Sequence, residues 1–250
     1  MKRKYKYSSI LWILLIVGLT NYLLARLILA IGDENFVATF LADLITGIIS
    51  FIFTFSISSG LIRNRMGSVG DYLNQVNYLN MKVLTVGFVI AIVRAIGQYL
   101  FVETGTYSIF SAIVSPNNDS VFAIGSIILP IIGFIITIII AIFFAYTNFY
   151  LADHYDTDDG VMTIIGKIFI QGKRLFKKTL ILGLKWEGIP LLVYILCLGL
   201  LFFVNDEYVG WGLFAFFSLA YVITALIVAI IFIARLSDIY LDDKKLEIEE

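Results

Sequence analysis

Four aspartates and the chain's only histidine fall within seven residues, Asp153, His154, Asp156, Asp158 and Asp159. Carboxylates and an imidazole at that density are metal ligands or acid–base catalysts before they are anything else. A calcium loop of the D-x-[DN]-x-[DN]-G type requires a Glu six residues beyond its glycine. Counting back from Gly160 puts Asp159 at the fifth position, Thr157 at the third and Tyr155 at the first, and Gly166 stands where the Glu belongs. That pattern fails. His154 and Asp158 are four apart and share a face if they are helical, which leaves them as the only candidate metal ligands. The competing reading is that the aspartates turn the chain out of an apolar run and cap the basic helix that comes next, since carboxylates favour a helix start and cations its end.

The other titratable groups that ask for explanation sit inside apolar segments. Arg26, Asp43 and Arg94 lie in the first three such segments. At 1.5 Å per residue each is about 10 to 13 Å from the same end of its helix. Opposite charges at one depth predict an Arg26–Asp43–Arg94 cluster. Its role is to pin the helices together or to line a cavity for an anion or a lipid headgroup. Glu187 and Arg235 form a looser second group, with Glu187 beside Gly188 and Pro190, where a helix kink is expected.

These groups need a scaffold, and composition fixes its class. Of 250 residues, 60% are hydrophobic and 15% charged, with mean hydropathy +0.94. A soluble domain carries about 25% charged residues. The apolar residues come in blocks of about 20 or more, where a soluble helix would show only a stripe. The expectation is an all-α polytopic membrane protein with six spans at about 9–31, 36–62, 82–102, 121–152, 179–204 and 211–241. They pair as three hairpins in a single domain covering 1–250. Lipid offers the backbone no partners, so the spans must be helical. The start "MKRKYKY" resembles that of a signal peptide, but the apolar stretch after it is too long, and it reads as an uncleaved first span. One cysteine, Cys197, excludes an internal disulfide, and a net charge of −1 gives no nucleic-acid signal.

Lys and Arg set the expected orientation. Four lie before the first span, three at 63–82, five at 167–178 and two at 244–245, fourteen in all, and loops 32–35, 104–120 and 205–210 hold none. Both termini are therefore expected in the cytoplasm, with the protein in the cytoplasmic (plasma) membrane. Two inner segments, 66–79 and 161–178, have helical apolar spacing. The second also carries Lys167, Lys173, Arg174, Lys177 and Lys178. That pattern suits anionic lipid at the headgroup level, or a protein partner docking through residues 161–178.

Phe149-Tyr150 followed by Asp153, Gly172 within a basic amphipathic stretch, and Leu182, Leu184 and Gly188 opening the next span carry a resemblance over about residues 140–245. On these the chain resembles domain-of-unknown-function family 975. These are bacterial integral membrane proteins allied to the membrane domain of some glycerophosphodiester phosphodiesterases. The chain departs from that pattern at Gly166, where a serine is expected, at Gly188-Ile189 in place of Gly-Trp, and by lacking a Pro-Tyr in its last span. The resemblance implies six helices in the cytoplasmic membrane and implies no activity.

No G-x-S-x-G, H-E-x-x-H or phosphate-binding glycine loop is present, and there is no second histidine. The sequence thus predicts a non-enzymatic membrane protein without a cofactor, acting as an accessory, regulatory or immunity-type factor. The alternative is a transporter or lipid-handling protein built around a charged cavity.

Overall fold

A computed structural model describes residues 3–31, 36–98, 132, 135–200 and 207–249, all helix and short connections with no strand among them. Helix α1 runs Tyr7–Ile31 and α2 Phe36–Arg63. A short α3, Val69–Leu73, passes into a 3-10 turn at Asn74–Tyr78, and α4 covers Met81–Gln98. A helical stretch 135–143 breaks at 144–146 before α5, Thr147–Asp153. Then come α6, Val161–Gly183, a π-helical turn at Leu184–Gly188, α7, Ile189–Leu200, and α8, Glu207–Glu249.

Five helices among the described residues are long and apolar enough to cross a membrane, or six if the pair Val69–Tyr78 and Met81–Val93, bent by 99°, counts as one. The outward faces are apolar as lipid demands. Trp12, Leu19, Leu27, Leu196 and Phe216 are each more than half exposed, which a water-facing surface would not tolerate in such number. The described residues are thus all helix and short connections, with apolar helices of the number and length that suit a multi-pass membrane protein.

Three expected boundaries move. The helix expected to start at 179 is continuous from Val161 through the π turn to Leu200, because nothing between 161 and 183 interrupts the hydrogen-bond ladder. The last helix begins at Glu207, inside the expected loop 205–210, and runs past 241 to Glu249, adding the good helix formers of "LDDKKLEIE" to the span. The amphipathic segment 66–79 is not one helix. Ser68 and Asp71 form a reciprocal capping box, Asp71 N–H to Ser68 Oγ at 3.2 Å and Ser68 N–H to Asp71 Oδ2 at 2.7 Å, and the α-helix they start lasts one turn. Loops 32–35 and 104–120, and the parts of the third and fourth expected spans at 99–102 and 121–131, lie outside the described residues.

The core gathers at the end of the bundle where the connections bearing Lys and Arg meet. Tyr72, fully buried, lies flat on Gly60 of α2, where a Cβ would be 2.5 Å from its ring. Its hydroxyl donates to the Arg65 carbonyl at 3.1 Å. Helix α6 turns Ile164, Ile168, Leu175 and Thr179 inward. At Gly172 it comes so close to the break after 143 that a Cβ would stand 1.9 Å from the Phe143 carbonyl oxygen. Only glycine allows that approach.

Candidate functional site

The π turn is the local irregularity from which the site is built. Pro190 has no N–H to give the ladder, and its ring crowds the carbonyl of residue 186. The helix answers with wider turns over Leu184–Gly188, a feature that recurs at functional sites. Thr179, Gly183 and Glu187, spaced four apart along this stretch, fall on one side of it, with Thr179 buried and Glu187 exposed.

That line forms one wall of a cleft of about 770 Å³. The segment around residues 137–149 and helix α8 from Tyr221 to Leu236 form other walls, and Thr54 and Ser58 of α2 reach its edge. Most of the lining is apolar, from Ile138, Phe144, Leu191, Val228 and Phe232. Among the described residues no Lys, Arg or His lines it, and Glu187 is the one formal charge. Glu187 makes no hydrogen bond or ion pair among the described residues. The Asn148 side-chain oxygen is buried and has no partner. Thr179 is fully engaged: it donates to the Leu175 carbonyl at 3.0 Å and meets the Tyr146 hydroxyl at 2.7 Å.

A layer of rings closes the cleft toward the basic end. Tyr146 and Phe149 stack on Tyr240 with centroids 6.3 and 5.9 Å away. Beyond the layer is a hollow of about 360 Å³ lined by Asp153, His154, Lys167, Gln171, Arg174 and Lys244, among others. Its cations are engaged. Lys244 Nζ lies 2.7 and 2.6 Å from the two oxygens of Asp153, Arg174 pairs with Asp243, and Lys167 Nζ is 2.5 Å from Asp159. The Asp159 carboxyl, in the loop before α6, is held below the ordinary carboxylate range first by that Lys167 hydrogen bond.

Two further clasps hold this end. Arg63, at the end of α2, lies 3.8 Å from the Tyr78 ring centroid and 5.0 Å from that of Tyr155, and donates to the Ala152 carbonyl at 2.9 Å. Arg3 reaches Asp238 at 3.2 Å and Asp242 at 2.6 Å on α8, and the Tyr5 hydroxyl donates to Asp238. Burial, and then that bond, push the Tyr5 hydroxyl up to about 12.

The structure scatters the residues that stand out in the sequence. Arg26 is exposed on α1, with its guanidinium 5.7 Å from the Tyr22 ring centroid. The side chains of Asp43 and Arg94, the rest of the expected cluster, lie outside the described residues. Glu187 lines the cleft, whereas Arg235 turns to Asp238 on its own helix at 3.3 Å. His154 follows the last turn of α5 in a non-helical conformation, with φ −121° and ψ 34°, so its spacing to Asp158 is not that of a helix face. Its ring stacks on Tyr150 at 4.3 Å and its Nδ1 is 3.1 Å from the Tyr150 carbonyl oxygen. Asp158 is exposed. No group of three or more His, Cys, Asp or Glu placed to hold a metal occurs among the described residues. Nor do the aspartates cap α6: its N-cap is Gly160, with no side-chain bond.

Sequence reasoning passed over Asn148 and the Tyr146–Phe149–Tyr240 layer. The available signal was a lone amide in the apolar run "AIFFAYTNFYLAD". Comparison with protein-family models, curated proteins and solved structures finds no match.

Proposed function

We propose that this protein binds an amphiphile, a lipid or a lipid-like small molecule, in the cleft between α2, the helical segment 135–153, the helix that continues from α6 into α7, and α8, and that it handles or moves that molecule within the membrane. The observation that carries this reading is the buried Asn148 side-chain oxygen, without a partner among the described residues, in the wall of a mostly apolar 770 Å³ cleft. Buried polar groups normally have a partner, and a missing one points to a ligand or water that belongs there. A cleft of that volume with few polar groups has the composition of small-molecule sites. Six spans in three hairpins, with the basic end in the cytoplasm of a bacterial cytoplasmic membrane, complete the proposal on the strength of the Lys and Arg distribution.

The test uses Gly183, which lines the cleft and whose Cβ would meet nothing within 4 Å. Gly183→Leu therefore fills the cleft without displacing its walls. Native mass spectrometry of protein extracted with its lipids retained should show a stoichiometric amphiphile on the wild type and at least a tenfold loss on the variant. An amphiphile held equally by both, or held by neither, would overturn the reading.

A second reading, an accessory or regulatory factor, is favoured by one observation. Met162, Phe169 and Ile170 on the outer side of α6 are 78%, 43% and 64% exposed beside Lys167 and Lys173. Such a face suits anionic lipid headgroups or an acidic, apolar partner surface. Replacing Met162 and Ile170 by Ser should release a co-purifying protein if that reading holds, and leave the amphiphile in place.

A further inference from the structure

If the cleft is a binding site, as proposed above, its lining also carries information about the chemical class of its occupant. Among the described residues its wall holds one charged group, Glu187, and no cation. The buried polar atom of the lining without a partner is also an acceptor, the Asn148 oxygen, while the neutral hydroxyls of Ser58 and Tyr221 stand in the same wall. The Thr54 hydroxyl donates to the Ser50 carbonyl at 2.6 Å, and Thr179 is engaged as described, so neither donates into the space. Thr179 is level with Tyr146, to which it is bonded. Glu187 is eight residues further along the helix, about 12 Å deeper in the membrane. A carboxylate at that depth is costly and is retained where it meets a charge or a proton. Arg235, the basic residue that sequence alone offers it, is taken by Asp238. Aromatic faces are at hand: Tyr221 lines the cleft and stacks on Tyr194 at 4.4 Å, and aromatic faces attract ammonium groups.

We propose that the occupant is a lipophilic cation, an amine or ammonium whose charged group sits on Glu187 and whose apolar body fills the cleft. An anionic or phosphorylated head would meet Glu187 and no cation among the described residues of the lining. An uncharged lipid would occupy the apolar part and leave Glu187 unanswered.

The experiment compares dodecylammonium with dodecanol, binding each at neutral pH to the full chain in maltoside micelles and following Trp186 fluorescence beside Glu187. The ammonium should bind at least tenfold tighter than the alcohol. Glu187→Gln should abolish that ratio while leaving the alcohol's affinity unchanged, and Glu187→Asp should retain part of it. Equal affinity of the wild type for both probes would overturn the cationic assignment and leave the cleft reading standing. The same holds for a preference that survives in Glu187→Gln. The wild-type comparison decides the matter even if neither variant folds. Failure of both probes to bind, with no displaceable amphiphile retained, would overturn the two readings together.

Discussion

Gly172→Ala isolates the close approach on which the basic end is assembled. The added Cβ would stand 1.9 Å from the Phe143 oxygen, 2.6 Å from its carbonyl carbon and 2.8 Å from its Cα. All three are backbone atoms, so no rotamer change relieves the clash. Ordinary contact begins at 3.4 Å, which means α6 and the 143–146 break must separate by about 1.5 Å. That gap opens directly beside Leu175, loosens the Phe143 ring on Phe169 at 4.6 Å and on Phe176 at 5.5 Å, and stretches the 2.7 Å Tyr146–Thr179 bond. Overpacking a tight core costs about 1 to 3 kcal/mol, and loss of a buried hydrogen bond about 1 kcal/mol. A total near 3 kcal/mol is expected, roughly a hundredfold in the folded-to-unfolded ratio. Gly166→Ala, in the same helix, is the control. Its Cβ would meet nothing within 4 Å, and Ala in place of Gly should gain about 0.5 to 1 kcal/mol. Reversible unfolding in mixed dodecyl sulfate and maltoside micelles gives both values. Gly172→Ala as stable as the wild type would refute the packing argument, whatever Gly166→Ala does.

Arg63→Ala should cost roughly 2 to 4 kcal/mol in the same assay, from a cation–ring contact and a charged hydrogen bond to Ala152. Arg63→Lys should recover less than half, because an ammonium cannot lie flat on Tyr78, and full recovery would show that charge alone matters. Asp159 gives a pH dependence. Its folded carboxyl lies below the ordinary 3.8, so its contribution is complete above that value and is lost as pH falls through the folded one. After correction for intrinsic rates, amide exchange at 161–165 should accelerate below about that pH in the wild type and not in Asp159→Asn. Identical pH profiles would remove the Lys167 contact from the account. A reporter inserted at Asn117 should read as external; a cytoplasmic signal would reverse the orientation inferred from charge.

Class and approximate spans were legible because lipid imposes a coarse, local rule: about 20 apolar residues, helical, flanked by charge. Boundaries were less legible because they depend on whether a ladder is interrupted. Nothing in "GVMTIIGKIFIQGKRLFKKTLILG" interrupts it, so a segment expected to lie apart simply extends the span. Glu187 could be singled out as a charge in an apolar run, and the kink at Pro190 was expected. Its role depends on the π turn and on where Arg235 points, and Arg235 found a nearer acceptor three residues along its own helix. Asn148 was overlooked because one amide among aromatic residues has no periodic signature. Whether it is satisfied depends on side chains far away in sequence.

The clasp between Arg3 and Asp238 joins residues 235 apart in the chain. A ribosome adding about 5 to 20 residues per second reaches Asp238 some 12 to 47 seconds after Arg3. Over that interval the first helix enters the bilayer without its closing contact, and among the described residues the basic segment before it holds to the 65–67 turn, through the Lys6 N–H to Arg65 and the Ser9 hydroxyl to Gly67. Completion of this protein is therefore an event of timing. Residues made early are fastened by residues made 235 positions later, and a ribosome stalled before α8 would leave a chain inserted but unlatched.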